Sequence, residues 1–563
     1  MSGAFARGAG SALPELFGSA TLSDCDMLFC LERQEKERPK KRRRVSKKTA
    51  PPAAVLFGEP LSGHLLVLRL ASERFNAQME RWDDRAGDRA AQEAASPSSS
   101  AARRPQLRVP LGSEAEMPFA RAAISYAYTG VVAADGVRAA LEVRRQAAYL
   151  QINGCAAACD ELLVGLLTAG RSSGTGNAAG EGGGYPATAD AARPSSEAIE
   201  FMACWALLPD PAVEPTFAPV LSAAKEALVR HFGDALAALN TPSLHQQLLQ
   251  LPAAGVEALL ASEAFGTDSE DSVLLLLATW MKANHGQTDA ATRMQLCRLV
   301  RLVQLGRPYL NTVLPALAAD HETCAAGSAC AWFPISIAEA GFIANLATAA
   351  AGAETERLLC YGCQLYNTKS PYYSTAARPQ CLPEEGRTFE CAISQKELQE
   401  ALVGLKPKGR VFVYGSFVGG SRLLCARGLM WVPLLEVEHE TTSAGVFLKC
   451  GLPAAYDVAG SRLGSSSKFI TIAGLEARLV VHGWHGGTPR DAFVGRAMAS
   501  RLDFALGRAL LHAGLGWDSV LPLAQPQQAG ADGGGGGSDM MAGWAPYLHD
   551  GRLTGTLTLL PVP

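Results

Sequence analysis

The chain has 563 residues, 48% of them hydrophobic, and a formal net charge of −3, which fits three or four domains of ordinary size. Between Leu31 and Ala50 ten Lys or Arg stand against three Glu, a local +7, so the remainder carries −3 minus 7, or −10. A mildly acidic body excludes a large phosphate-binding face, which needs positive charge spread over a surface.

The first residues, "MSGAFARGAGSALPELFG", lack the basic start and long apolar core of a secretory signal, and a flexible N-terminus is expected over 1–19. The 14 cysteines are therefore expected to remain reduced thiols, many of them in cores. Two short strands are predicted at "CDMLFCLE" and "AAVLFGEPLSGH", with the basic run between them. In "LLVLRLASERFNAQM", Leu65, Leu68, Ser72, Phe75 and Met79 recur at steps of three and four, one face of a helix. "QLRVPLG" reads as a further strand, and "EMPFARAAISYAYTG" as a helix stopped at Gly130 by a left-handed cap. "LEVRRQAAYLQINGCAAACDELLVGLL" reads as two helices broken at Asn153-Gly154, with Cys155, Cys159, Leu162 and Leu166 along one side of the second.

A Gly/Ser-rich linker separates this block from a helical one, about 197 to 350. There Thr267 and Glu270 fit a capping box, and Val273, Leu276, Leu277 and Trp280 make the buried stripe that follows. The longest apolar stretch, near "VLLLLATWM", is too short to span a bilayer. From about 385 the period changes. "GRVFVYGSFVGG", "SAGVFLKCG", "KFITIAG" and "ARLVVHGW" are short, β-branched or aromatic, and bounded by Gly. "LTGTLTLL" alternates Leu553, Leu557 and Leu559 with Thr554, Thr556 and Thr558, one face buried and one wet, as in an antiparallel sandwich.

His64, Leu68, Ser72 and Phe75 in "HLLVLRLASERF" follow the pattern H, three residues, L, three residues, S, two residues, F. This stretch resembles the BTB/POZ fold; "CDMLF", with Asp26, is similar to its first strand, and "ISYAYTG" and "AAYLQINGCAAACDELL" to its later helices. "LPAAGVEALLASEAF" and "SEDSVLLLLATWM" resemble the BACK domain that commonly follows BTB: a Leu-Pro start, a double Leu, an acidic cap and a Trp. "RTFECAISQKELQEALVGLKPKGRVFVYGSFVGGS", "GWDSVL" and "YLHDGRLTGTLTLL" are similar to the plant light-response (POB-type) BTB proteins, and the ending also resembles a MATH-type sandwich. The resemblance implies a multidomain α+β protein. Its parts are an α/β BTB/POZ domain over 20–168, with inserts at 32–52 (basic) and 86–104 (Ser/Ala-rich), and a disordered linker over 169–196. An all-helical BACK domain over 197–350, a connector over 351–384, and an antiparallel β-sandwich over 385–563 with a Gly-rich loop at 526–540 complete it.

The resemblance further implies a substrate adaptor of a cullin-3 ubiquitin ligase. BTB would form a homodimer and dock the cullin, BACK would extend the arm, and the C-terminal region would hold an unidentified client protein for ubiquitination. The contrasting expectation is a BTB-type nuclear transcriptional co-regulator, or interaction scaffold, that binds no cullin. The family's cullin contact places a hydrophobic residue, any residue, then Glu after the Phe-containing helix; here Trp82-Asp83-Asp84 stands there. Trp82 would fill the apolar slot and Asp84 supply the carboxylate, one methylene shorter than Glu. The plainer alternative is a polar helix end with a half-buried Trp.

Pro39, Lys40, Lys41, Arg42, Arg43, Arg44 and Val45 form "PKKRRRV", very close to a monopartite nuclear-import signal, read in extended form by an importin. Pro39 and Pro51-Pro52 keep the run non-helical. A solvated charge run and direct phosphate binding are its rivals. No aromatic residue is interleaved with the cations, which weakens single-strand binding and disfavours nucleic acid as a partner. The expected location is the nucleus, with or without a cytoplasmic pool.

Little in the chain points to covalent chemistry. Cys360 and Cys363 form C-x-x-C, but Cys381 and Cys391 follow at loose spacing for zinc. His482 and His485 at a Gly-rich hairpin end read as incidental, and Gly174-Thr175-Gly176 with Gly180 follows no strand, as a phosphate loop would. No cofactor, no metal and no membrane partner are expected, and the chain reads as a non-enzyme.

Overall fold

The computed structural model describes residues 9–31, 55–82, 104–169, 197–325, 327–349, 352–417, 419, 422–464, 469–472, 475–497, 503–506, 514–523 and 541–561. The chain divides into two compact units: Met1–Asn177 with Ser195–Ala227, and Ala178–Pro194 with Leu228–Pro563.

In the first unit α1 (Ala9–Leu16) precedes β1 (Cys25–Leu31), β2 (Leu56–Gly63), α2 (Leu65–Ala71), α3 (73–82) and β3 (Gln106–Leu111). β1 pairs antiparallel with β2 and parallel with β3, in the order β2-β1-β3. As the central strand it is buried on both faces and reads as a continuous apolar run, whereas β3 alternates, with Leu107, Val109 and Leu111 inward. α4 (Met117–Thr129) ends at Gly130 in the left-handed region, as its sequence predicts. α5 (Val137–Leu150) and α6 (Cys155–Thr168) are separated at 151–154, where Gln151 and Gly154 both take positive φ. The buried side of α6 runs Cys155, Cys159, Leu163 and Leu167, not through Leu162 and Leu166. Uniform steps of four follow one ridge of the helix surface, which is what a crossing partner meets.

Residues 197–227 belong to this unit, although composition places them with the helices that follow. α7 (Glu197–Ala203) brings Glu200 to the Arg138 N–H at 3.4 Å, at the start of α5. Arg144, buried, donates to Asp160 at 2.6 Å and to Glu214 at 2.8 Å, with its guanidinium 4.5 Å over the Phe217 ring. A buried guanidinium held by two carboxylates and a ring face keeps its charge solvated by protein.

The division falls inside α8 (Ala218–Phe232). The second unit continues with α9 (Ala235–Asn240), α10 (Pro242–Gln250), α11 (Ala253–Ala261), α12 (Glu270–Asn284) and α13 (Ala290–Cys297). A π-turn, Tyr309–Val313, leads into α14 (Leu314–Thr323), followed by α15 (Ile337–Thr348) and α16 (Ala353–Gly362). α12 is encased rather than striped: every residue from Glu270 to Ala278 is buried. Such a helix reads as hydrophobic on all sides.

The strands are β4 (Arg387–Ser394), then, after α17 (Gln395–Val403), β5 (Arg410–Tyr414), β6 (Ser416–Phe417), β7 (Leu424–Ala426), β8 (Leu429–Glu438) and β9 (Ser443–Gly451). β10 (Phe469–Ile472), β11 (Ala477–His485), β12 (Thr488–Ala497), β13 (Asp503–Leu506), β14 (Gly514–Pro522), β15 (Leu548–His549) and β16 (Arg552–Leu559) follow. Two antiparallel sheets result, ordered β12-β11-β16-β4-β6 and β14-β9-β8-β5, with a β10-β13 ribbon beside them. The sheets meet over an apolar cavity of about 30 Å³ lined from both sides by Ile393, Leu434, Val446, Leu479 and Leu553. In β16 Leu553, Leu557 and Leu559 are buried as predicted, but Thr558 is buried too, its hydroxyl 3.0 Å from that of Thr388 on β4. A strand flanked by neighbours on both edges can shelter a hydroxyl on its far face, provided the hydroxyl finds a partner.

Candidate functional site

The motif at 64–75 does not form one helix. Ser72 takes extended dihedrals (φ −143°, ψ 121°) and splits the segment into α2 and α3. Its backbone bridges Ile152, and Asn153 donates to the Ala71 carbonyl at 2.8 Å. The Ser72 hydroxyl donates to the Leu150 carbonyl at 2.6 Å and accepts the Phe75 N–H at 3.1 Å, so it caps the start of α3. The predicted face survives the break: Leu68, Ser72, Phe75 and Met79 are buried together in the core, with Leu65 half-buried against it.

His64 is buried at the start of α2. Its N–H donates to the Tyr128 hydroxyl at 3.1 Å, and its Nε2 lies 3.0 Å from the Thr21 carbonyl, which fixes that nitrogen as the protonated one. Burial pushes the Tyr128 hydroxyl up to about 12, against the lowering effect of the His64 N–H. The cap that His64 does not supply comes from Asp24, whose Oδ1 accepts the Leu65 N–H at 2.7 Å. Asp26 sits on β1 opposite Ser62 and Gln106, its N–H bonded to the Pro105 carbonyl. The His64 and Asp24 bonds hold the start of α2 against α4 and the segment before β1. Gln78 fixes α3 along β3: its amide nitrogen donates to the Arg108 carbonyl and its oxygen accepts the Arg108 N–H, both at 3.1 Å. A sequence pattern could not show Asp24 or Gln78, because each acts across 30 or more positions.

At the end of α3 Trp82 is half-buried against this core. Asp84 lies outside the described residues, as do Pro39, Lys40, Lys41, Arg42, Arg43, Arg44 and Val45.

The second unit holds its own polar centre, where α9 and α12 receive the β7–β8 turn. Arg427 and Gly428 both have positive φ, a hairpin turn whose central N–H groups point outward. Asp268 accepts the Arg427 N–H at 2.6 Å, and the Ser272 hydroxyl accepts the Gly428 N–H at 3.0 Å. Tyr309 donates to the Gly428 carbonyl and accepts from the Tyr456 hydroxyl. Asn240 bonds both the N–H and the carbonyl of Cys425, at 2.7 and 2.8 Å. A Cβ at position 428 would stand 2.5 Å from the Tyr309 ring, so only Gly fits.

The capping box predicted for Thr267 and Glu270 does not form. Ser269 occupies the N-cap without a side-chain bond, and Glu270 is instead buried with Arg378, Nε to Oε2 at 3.1 Å. Burial pushes the Glu270 carboxyl upward, with Arg378 opposing. Asp271, wholly buried, accepts the Gly306 N–H at 2.9 Å, and burial drives its carboxyl up to about 8 against that bond.

The candidate metal ligands do not converge. Cys360 and Cys363 are exposed at the end of α16, Cys381 is bonded through its backbone to Thr267, and Cys391 lines the cavity between the sheets. His482 lies 3.1 Å from the Thr554 hydroxyl while His485 is exposed. Among the described residues no group of three or more His, Cys, Asp or Glu is placed to hold a metal ion, and no helix is long and apolar enough to cross a membrane.

Residues 226–315 match the family model described as BACK: BTB And C-terminal Kelch. The match runs from α8 to the start of α14, so the encased α12 and its acidic cluster are part of it. No curated protein matches the chain. The match supports a protein-interaction role of the adaptor kind.

Proposed function

We propose that the chain is the substrate-recognition adaptor of a cullin-3 RING ubiquitin ligase, and not itself an enzyme. The BACK match at 226–315 carries this reading. It gains support from the unit that precedes it, in which His64, Leu68, Ser72 and Phe75 are buried beside a three-stranded sheet with a parallel β1/β3 pair. In this reading the first unit is a BTB/POZ domain that pairs with a second copy and docks the cullin at the end of α3. The β layers hold a client protein, and catalysis consists of raising the concentration of that client near a charged ubiquitin carrier. Importin delivers the chain to the nucleus through Lys40–Arg44.

Cullin-3 capture by the full chain should be abolished by Trp82→Ala with Asp84→Ala, while sedimentation still shows a homodimer. Undiminished capture would remove the proposal. Because Trp82 also contacts the core, Asp84→Lys alone is the control that leaves those contacts in place, and it should weaken capture with the homodimer retained. That same half-burial of Trp82 favours a second reading, a nuclear co-regulator or interaction scaffold without cullin, in which neither substitution alters partner binding.

A further inference from the structure

We propose that Cys324 and Cys330 form a dithiol pair that a hydroperoxide converts to an intramolecular disulfide, an oxidant-responsive site against the turn at Gly460. Cys324 is the residue after α14, and Cys330 stands in the 3-10 turn Ala329–Ala331. Their sulfurs converge on one point. Cys324 Sγ donates to the Gly460 carbonyl at 4.0 Å, and a Cβ built on Gly460 would lie 3.8 Å from Cys330 Sγ. The Ser328 hydroxyl sits 3.0 Å from Cys330 Sγ, so both sulfurs are gathered about the same turn. Cys324 is partly exposed and open to a small oxidant, while Cys330 is buried behind it, 4% exposed.

The chain's other close cysteines lack this combination. Cys155 and Cys159 are both fully buried on α6. Cys360 and Cys363 are exposed, but the Cys363 thiol donates to the Cys360 carbonyl at 2.9 Å instead of facing its thiol.

The Cys324 thiolate attacks one oxygen of the hydroperoxide, the O–O bond breaks, and the other oxygen leaves and takes up a proton. Cys324 is then a sulfenic acid. The Cys330 sulfur attacks the Cys324 sulfur, the S–O bond breaks, and hydroxide departs as water with the Cys330 proton. The two thiols together lose two protons and two electrons, which reduce the hydroperoxide to an alcohol or water plus water. The neighbouring Cys330 thiol pushes the Cys324 thiol up to about 11, with burial and Asp320 adding and Arg462 opposing. The thiolate is therefore scarce at neutral pH, and the first step should quicken by up to about tenfold per pH unit below that value.

The full chain, treated with hydrogen peroxide and then alkylated in denaturant, is digested with trypsin and weighed. The peptide carrying both residues should be lighter by two hydrogens, unlabelled at both sulfurs, and restored by a reductant; Cys324→Ser should abolish the linkage. Labelling of both thiols at a dose that oxidises Cys360 and Cys363 would overturn the proposal. So would an oxygenated Cys324 beside a labelled Cys330. The wild-type measurement decides even if the variant folds poorly.

Discussion

At the scale of single residues, Ser72 shows what a spacing pattern carries and what it leaves out. The recurrence of Leu65, Leu68, Ser72, Phe75 and Met79 correctly marked a buried face, because the residues on both sides of the break pack into one core, Leu65 half-buried against it. The break itself was not legible, since its cause is a backbone bridge to Ile152, 80 positions away in sequence. The serine is then the residue that satisfies both sides of the break. Ser72→Ala removes the cap of α3 and the donor to Leu150, and should cost about 1–3 kcal/mol in urea unfolding of the full chain. A loss below about 0.5 kcal/mol, within the range of an ordinary surface substitution, would show that the hydroxyl is replaceable by water.

At the scale of elements, the acidic start of α12 read as a capping box because only local pattern was visible. The competing partner, Arg378, arrives from 108 positions later and takes Glu270 into a buried ion pair. β8 escaped the sequence reading for a related reason: most of its residues are buried on both faces, it does not alternate, and it contains Pro433. That proline is tolerated because the β5 pairing ends at Tyr414 opposite Leu434: its carbonyl still accepts the Gly415 N–H, and only the reciprocal bond, for which proline has no N–H, is missing. The buried Asp271 makes a pH prediction. Its folded value, about 8, lies above the ordinary 3.8 of an aspartate, so the folded state holds a proton that the unfolded chain releases. The associated stability is present below about pH 4 and lost as pH rises toward about 8, at up to about 1.4 kcal/mol per unit. Asp271→Asn should flatten the fall of melting temperature over that window. Asp268 and Glu270, shifted upward by burial as well, leave a residual slope. An unchanged profile would mean that Asp271 stays ionised in the fold.

At the scale of the whole molecule, composition separated helical from β-rich sequence correctly, because the change of period at about 385 is a property of each strand by itself. It did not show that the two are one compact unit. Their union depends on the grip of Asn240, Asp268, Ser272 and Tyr309 on a two-residue turn, and such contacts leave no periodic trace. The basic segment belongs to this scale too, since its charge is opposite in sign to that of the rest of the chain. Replacing Lys40 to Arg44 by Ala should move a fluorescent fusion out of the nucleus; continued nuclear accumulation would assign the run to bare solvation.

The connection between 169 and 197 begins and ends at residues of the same unit, because Glu200, Glu214 and Phe217 are anchored on α5. The seat of the 197–227 strap is thus set by Arg138 and Arg144 on α5, so lengthening the connection should leave those contacts in place. Insertion inside α8, where the unit boundary falls, interrupts a helix and has no such latitude.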